Sequence, residues 1–191
     1  MIRIVGGHAS VRNMGLRYEN LDETTRRYMN EEIERDIADG SIYISNRLNP
    51  SGCERWPELL KEAARSGTDD TLAASIIRDG CLKERVERRK PKGGMTMAAV
   101  PVTAHETMGE GEFNRYYTPG LCRRAIEEGL GELEVYRAKA VREPRPMSEA
   151  KIGLRVDPRV ILEDLRQTQG VEPALGLPPG PNSGLTLRIP R

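Results

Sequence analysis

Three groups of residues in this chain have types and spacing that suit chemistry. The first is Cys122 with His105, a thiol and an imidazole. Nucleophile and base are routinely assembled from residues distant in sequence, so the pair is a candidate on residue type alone. The second is His105 in TAHETMGEGE, with Glu106, Glu110 and Glu112 close by, which are donor types that a metal ion accepts. Against both stand the scarcity of histidine, only His8 and His105, and the position of Cys122 beside Leu121 on the apolar side of its segment. A cysteine there behaves as a small hydrophobe. The third group is CLKERVERRKPKGG, where Arg85, Arg88, Arg89, Lys90 and Lys92 fall within eight residues and end in a Pro/Gly breaker. A basic cluster beside glycines suits contact with a phosphate backbone. The bland reading of the same run is a solvated surface segment or linker. With no aromatic residue interleaved, it does not read as a stacking platform for single strands.

Other chemistries are excluded by pattern. The paired glycines of IVGGHAS and PKGGMT match neither a Walker A loop nor G-x-G-x-x-G, and no G-x-S-x-G occurs. Cys53, Cys81 and Cys122 lie far apart without a C-x-x-C, which predicts reduced thiols in a cytosolic product. No catalytic residue, metal site or cofactor is assigned, and a non-enzyme is expected. Thirty basic residues oppose twenty-nine acidic ones, and the net charge of +1 gives no global attraction to nucleic acid or an anionic membrane. Apolar runs are too short to span a bilayer. MIRIVGGHASVRN lacks the apolar core of a secretory signal, and strong patterning begins only after Met14, so either Met1 or Met14 suits a start.

The elements that would position these groups come from periodicity and punctuation. Hydrophobic residues make up 37% of the chain and aromatics 4%, which predicts a thin core of Leu, Ile, Val and Ala. NLDETTRRYMNEEIERDIADG is a helix capped by Asn20 or Asp22 and closed at Asp39-Gly40. SIYIS is a short strand or an extended connector. RLNPSGCERWP reads as loop, after which Pro57 opens a helix to Gly67 and Thr68 or Asp69 caps another to Gly80. MTMAAVPVTA reads as extended, with Pro101 at an edge. A helix with a Thr103–Glu106 capping box follows.

In GEFNRYYTPGLCRRAIEEG, Phe113, Tyr117 and Leu121 recur every four residues as a core anchor. Pro119 should kink or restart this helix near Thr118. Arg123 and Arg124 project from it as further candidates for phosphate or partner contact. ELEVYRAKAV is the best strand, and Asp157-Pro158 opens a short helix. The Pro/Gly-rich tail carries Leu175, Leu177, Leu185, Leu187 and Ile189, of which Leu185, Leu187 and Ile189 are candidate arm contacts to a neighbouring subunit.

The organisation expected is an N-terminal extension (1–14), a helical region (15–84), a basic linker and extended segment (85–103), an α+β core (104–169) and an extended arm (170–191). This is an α+β fold, mostly helical, with a small sheet and extended Pro/Gly-rich arms.

The strings GEFNRYYTPGLCRRAIEEG, LEVYRAKAVREPRPMSEAKIG and GLPPGPNSGLTLRI, together with YENLDETTRR, RRKPKGG and VPVTA, resemble a family of small proteins associated with bacteriophage and prophage genomes. The resemblance covers most of the chain beyond Met14, and its strings carry no assigned chemistry. It implies a virion or head-associated structural protein, such as a capsid-binding auxiliary subunit, made in the host cytoplasm and placed in the virion. The partners expected are other virion proteins or further copies of this chain. The alternative is a small nucleic-acid-binding or regulatory protein using the Arg/Lys-rich segment.

Overall fold

The computed structural model describes residues 15–168, 176–177 and 183–191; His8, Met14 and Leu175 lie outside them. The described residues form six helices and five strands, a mostly helical α+β fold with small antiparallel sheets. Helix α1 (Glu23–Ala38) starts at Asp22, whose carboxylate accepts from the Thr25 N–H at 3.1 Å. Ser41 to Ser45 then form a connector without regular secondary structure.

Helix α2 spans Pro50–Ser66, so it begins at Pro50 rather than Pro57. The segment expected to be loop is helical because Asn49 caps it, accepting from the Gly52 N–H at 2.7 Å, and Pro50 occupies the first turn, where a missing N–H costs nothing. Pro57 therefore sits inside the helix. Its cost is offset by burial of Trp56, Leu59 and Leu60, and the Trp56 Nε1–H donates to the Tyr43 carbonyl at 3.1 Å. Helix α3 (Asp69–Arg78) opens on a Thr68–Thr71 capping box.

Strands β1 (Arg85–Arg89) and β2 (Met95–Ala99) form one hairpin. Helix α4 (Ala104–Glu127) crosses the molecule and packs on α1, on α3 and on α6 (Pro158–Gln167). The Thr103–Glu106 capping box does not form, since Thr103 makes no side-chain cap. Nor does α4 break at Pro119. Proline in a helix interior costs about 3 kcal/mol, but here the segment is wedged between α1 and α6, and burial of that stripe outweighs the local preference.

Phe113, Tyr117 and Leu121 are buried at the centre of the core, with the Tyr18 ring 5.1 Å from Phe113 and 4.6 Å from Tyr117. One hydrophobic cluster joins Met29, Trp56, Leu72, Phe113, Leu133, Ile161 and Leu187. The stretches expected as a helical region and a separate α+β core thus share a single interior.

The second sheet has the order β4 (Arg155–Val156), β3 (Leu133–Arg137), β5 (Leu185–Arg188), all antiparallel. A one-turn helix, α5 (Pro146–Glu149), lies between β3 and β4. Leu185 and Leu187, expected on an outward arm, are buried in β5 against β3 and α4, and Ile189 is half-buried. The reason is polar as well as apolar. The Asn114 amide donates to the Leu185 carbonyl at 3.1 Å, and the Tyr117 hydroxyl donates to the Leu187 carbonyl at 3.2 Å. The Ile189 N–H donates to Asn20 Oδ1 at 2.8 Å. The final strand is bound to its own chain.

Three helices are tied together by one carboxylate. Glu32 of α1 is buried and accepts two hydrogen bonds from Arg166 of α6, at 2.6 and 3.2 Å. Arg35 of α1 and Arg123 of α4 approach it at 3.5 and 3.6 Å. Removing one side of a buried ion pair costs several kcal/mol, and the partial exposure of these arginines reduces that. Glu32→Ala is therefore expected to lower stability by about 2 kcal/mol in chemical denaturation, and Glu31→Ala, which leaves this buried carboxylate in place, by less than about 1 kcal/mol.

Candidate nucleic-acid interface

The basic run is not a linker. Arg85 to Arg89 pair with Met95 to Ala99 in register, Arg85 opposite Ala99 and Arg89 opposite Met95. The sequence reading missed this because β1 lacks the alternation of a half-buried strand. The legible signal was the turn. Pro91 occupies the second position of a β-turn closed by the Gly93 N–H donating to the Lys90 carbonyl at 3.0 Å. Gly93 and Gly94 have φ of +90° and +78°, which other residues rarely adopt.

The root of the hairpin is fixed to the body. Leu82 bridges to Leu48, and the Lys83 N–H donates to the Arg47 carbonyl at 2.9 Å. Beyond the root the ribbon is largely in solvent: of Arg85 to Ala99 only Val86 and Ala98 are half-buried. At about 3.4 Å per residue its five-residue strands extend roughly 17 Å.

Among the described residues, ion pairs hold many of the body's arginines and none of the arm's basic residues. On the body, Arg123 meets Glu31 at 2.7 Å, and Arg124 meets Asp22 and, at 3.2 Å, Glu128. Arg155 and Arg188 share Glu134 at 2.9 and 2.6 Å. Arg123 and Arg124, named above as candidate contacts, are thus committed to carboxylates of their own chain. Among the described residues, Arg85, Arg88, Arg89, Lys90 and Lys92 make no ion pair, although Glu87 lies within the same ribbon. The Arg85 guanidinium donates only to the Met97 carbonyl, at 2.9 Å. The near-zero net charge therefore conceals a local cationic arm whose basic residues make no ion pair among the described residues.

The thiol and metal candidates do not assemble. His105 and Cys122 lie on one helix, and seventeen residues at 1.5 Å each separate them by about 25 Å along its axis. Cys122 is fully buried, and that burial raises its thiol far above the ordinary range, so it is not a thiolate nucleophile. His105 Nε2 is 3.8 Å from Glu106, and its Nδ1 is enclosed without a partner. Among the described residues no three or more His, Cys, Asp or Glu side chains are placed to hold a metal ion. No helix among them is long and apolar enough to cross a membrane.

A second feature, not anticipated from sequence, is an acidic pocket of about 320 Å³ lined by Gly15, Asp69, Asp70, Glu106, Glu110 and Lys139. Lys139 pairs with Glu110 at 2.9 Å, and Asp69 Oδ2 accepts from the Leu16 N–H at 2.8 Å. Burial pushes the Asp69 carboxyl up to about 6. The folded state then holds the proton more tightly than the unfolded chain, so this group's contribution to stability falls as pH rises from about 4 to about 6. Asp69→Asn keeps an acceptor for Leu16. It is expected to raise stability by about 2 kcal/mol at pH 7 and to leave it unchanged near pH 4, as read by thermal melts across that range.

Comparison with protein-family models, with curated proteins and with solved structures found no match to this chain.

Proposed function

We propose that this protein is a non-enzymatic nucleic-acid-binding protein whose β1–β2 hairpin contacts the phosphate backbone. The observation that supports this most is the clustering of five basic residues, none of them ion-paired among the described residues, within eight positions of one exposed, projecting arm. Unpaired guanidinium and ammonium groups on a projecting ribbon are free to neutralise phosphates and release their counterions. A two-stranded ribbon is also one of the shapes that a DNA groove admits. The capsid-binding reading drew on the apolar C-terminal residues as an arm for a neighbour. With Leu185 and Leu187 inside the chain's own core, that support is gone, and the nucleic-acid reading leads. The test is fluorescence anisotropy of labelled duplex and single-stranded oligonucleotides titrated with the full chain at low salt. Binding that weakens as salt rises is expected, and no binding to any oligonucleotide at low salt overturns the proposal.

A further inference from the structure

The two faces of the hairpin differ, and the difference points to a particular nucleic acid. Residues directly opposite across an antiparallel pair share a face. Arg85, Glu87, Arg89, Met95, Met97 and Ala99 therefore form one face, and all six are exposed. The other face holds Arg88 and Thr96 with the half-buried Val86 and Ala98. Met95 and Met97 are each 52% exposed, an apolar pair set among charged residues on a projecting element.

Resting on the nucleic-acid reading above, we infer that the face bearing Glu87, Arg89, Met95 and Met97 lies in the major groove of B-form duplex DNA. Two strands about 4.8 Å apart, with side chains on both edges, match a groove about 12 Å wide and overfill one of about 6 Å. The unpaired Arg89 guanidinium suits the N7 and O6 acceptors of guanine, and Glu87 suits the N4 donor of cytosine. The methionines offer apolar contact to the C5 methyl of thymine, which RNA lacks. The Arg85 guanidinium is engaged by the Met97 carbonyl, two residues nearer the turn than its own partner Ala99. Arg88, on the opposite face, and Lys90 and Lys92, in the turn, are left for the phosphates at the groove rim. The A-form major groove of RNA is too deep and narrow for such a ribbon, and the arm has no aromatic side chain on which a single strand stacks.

The experiment compares DNA duplex, RNA duplex and single-stranded DNA pools of matched length by anisotropy. It adds a DNA duplex carrying deoxyuridine for thymidine, and competition by methyl green or netropsin. The full chain should prefer the DNA duplex by about tenfold, lose several-fold affinity on the deoxyuridine duplex, and be displaced by methyl green but not by netropsin. The double variant Met95→Ser/Met97→Ser should lose the deoxyuridine sensitivity while keeping its salt dependence and melting temperature. Equal affinity for RNA duplex, displacement by netropsin, or a double variant as sensitive to deoxyuridine as the parent overturns the inference. Salt-dependent but indiscriminate binding overturns it while leaving the broader reading intact, whereas no binding to any pool removes both.

Discussion

Replacing Arg88, Arg89, Lys90 and Lys92 together with glutamine is expected to weaken nucleic-acid binding by about 100-fold at low salt, with the fold unchanged. Both halves follow from the partner structure. None of the four has a carboxylate partner among the described residues, and all four are exposed, so removing their charge breaks no ion pair. Exposed substitutions of this kind usually change stability by less than about 0.5 kcal/mol each. Phosphate contacts, by contrast, each release a counterion, and losing those of Arg88, Lys90 and Lys92 together with the Arg89 charge in the groove removes most of the electrostatic affinity. The mirror experiment is Arg123→Gln/Arg124→Gln. Those residues hold Glu31, Asp22 and Glu128, so the double variant should lower stability and leave affinity within about twofold. Anisotropy and chemical denaturation on the same two proteins read the exchange of effects. An arm variant that binds like the parent contradicts the assignment.

Gly120→Ala is expected to destabilise the protein by about 2 kcal/mol, against the sign that helix propensity gives. Alanine is favoured over glycine in a helix interior by about 1 kcal/mol. But α4 crosses α1 at this position, and a Cβ on Gly120 would lie 2.9 Å from the backbone nitrogen of Met29 and 2.7 Å from its Cγ. Met29 is fully buried, so its Cγ yields only with repacking of the core, and the α1 backbone moves only if the helices separate. Overpacking of this kind costs about 1–3 kcal/mol, and separation would also loosen Met29, Leu121 and Cys122, all fully buried. Gly109 repeats the device against α3, where a Cβ would come within 2.6 Å of the Asp69 carbonyl. Urea denaturation of Gly120→Ala settles the sign, and a stabilised variant would mean that the helices are not packed this closely.

Those two glycines show where the sequence was legible and where it was not. Capping and periodicity placed α1, α3 and α6, because Asp22, Thr68 and Asp157 act locally, through hydrogen bonds within a few residues. The Phe113, Tyr117, Leu121 stripe was readable for the same reason. Gly109 weakens α4 by local propensity, and its justification is a helix far away in the sequence. Pro57 and Pro119 looked like boundaries, since the burial that overrides them is tertiary. For the site, the basic residues were legible one by one. That Arg123 and Arg124 are neutralised while the arm is not depends on where Glu31, Asp22 and Glu128 come to rest, which spacing alone does not encode. The pairing of β1 with β2 was hidden because both strands are exposed, leaving no alternation to read.

The central claim is that the β1–β2 hairpin is the nucleic-acid-binding element, and the salt dependence of binding tests it most directly. With three phosphate contacts from Arg88, Lys90 and Lys92, log K against log salt for a DNA duplex should fall with a slope of about −3. The four-glutamine variant, measured on the same duplex, should flatten it to about −1 or less. A parent slope near zero, or a slope as steep in the variant as in the parent, would contradict the claim.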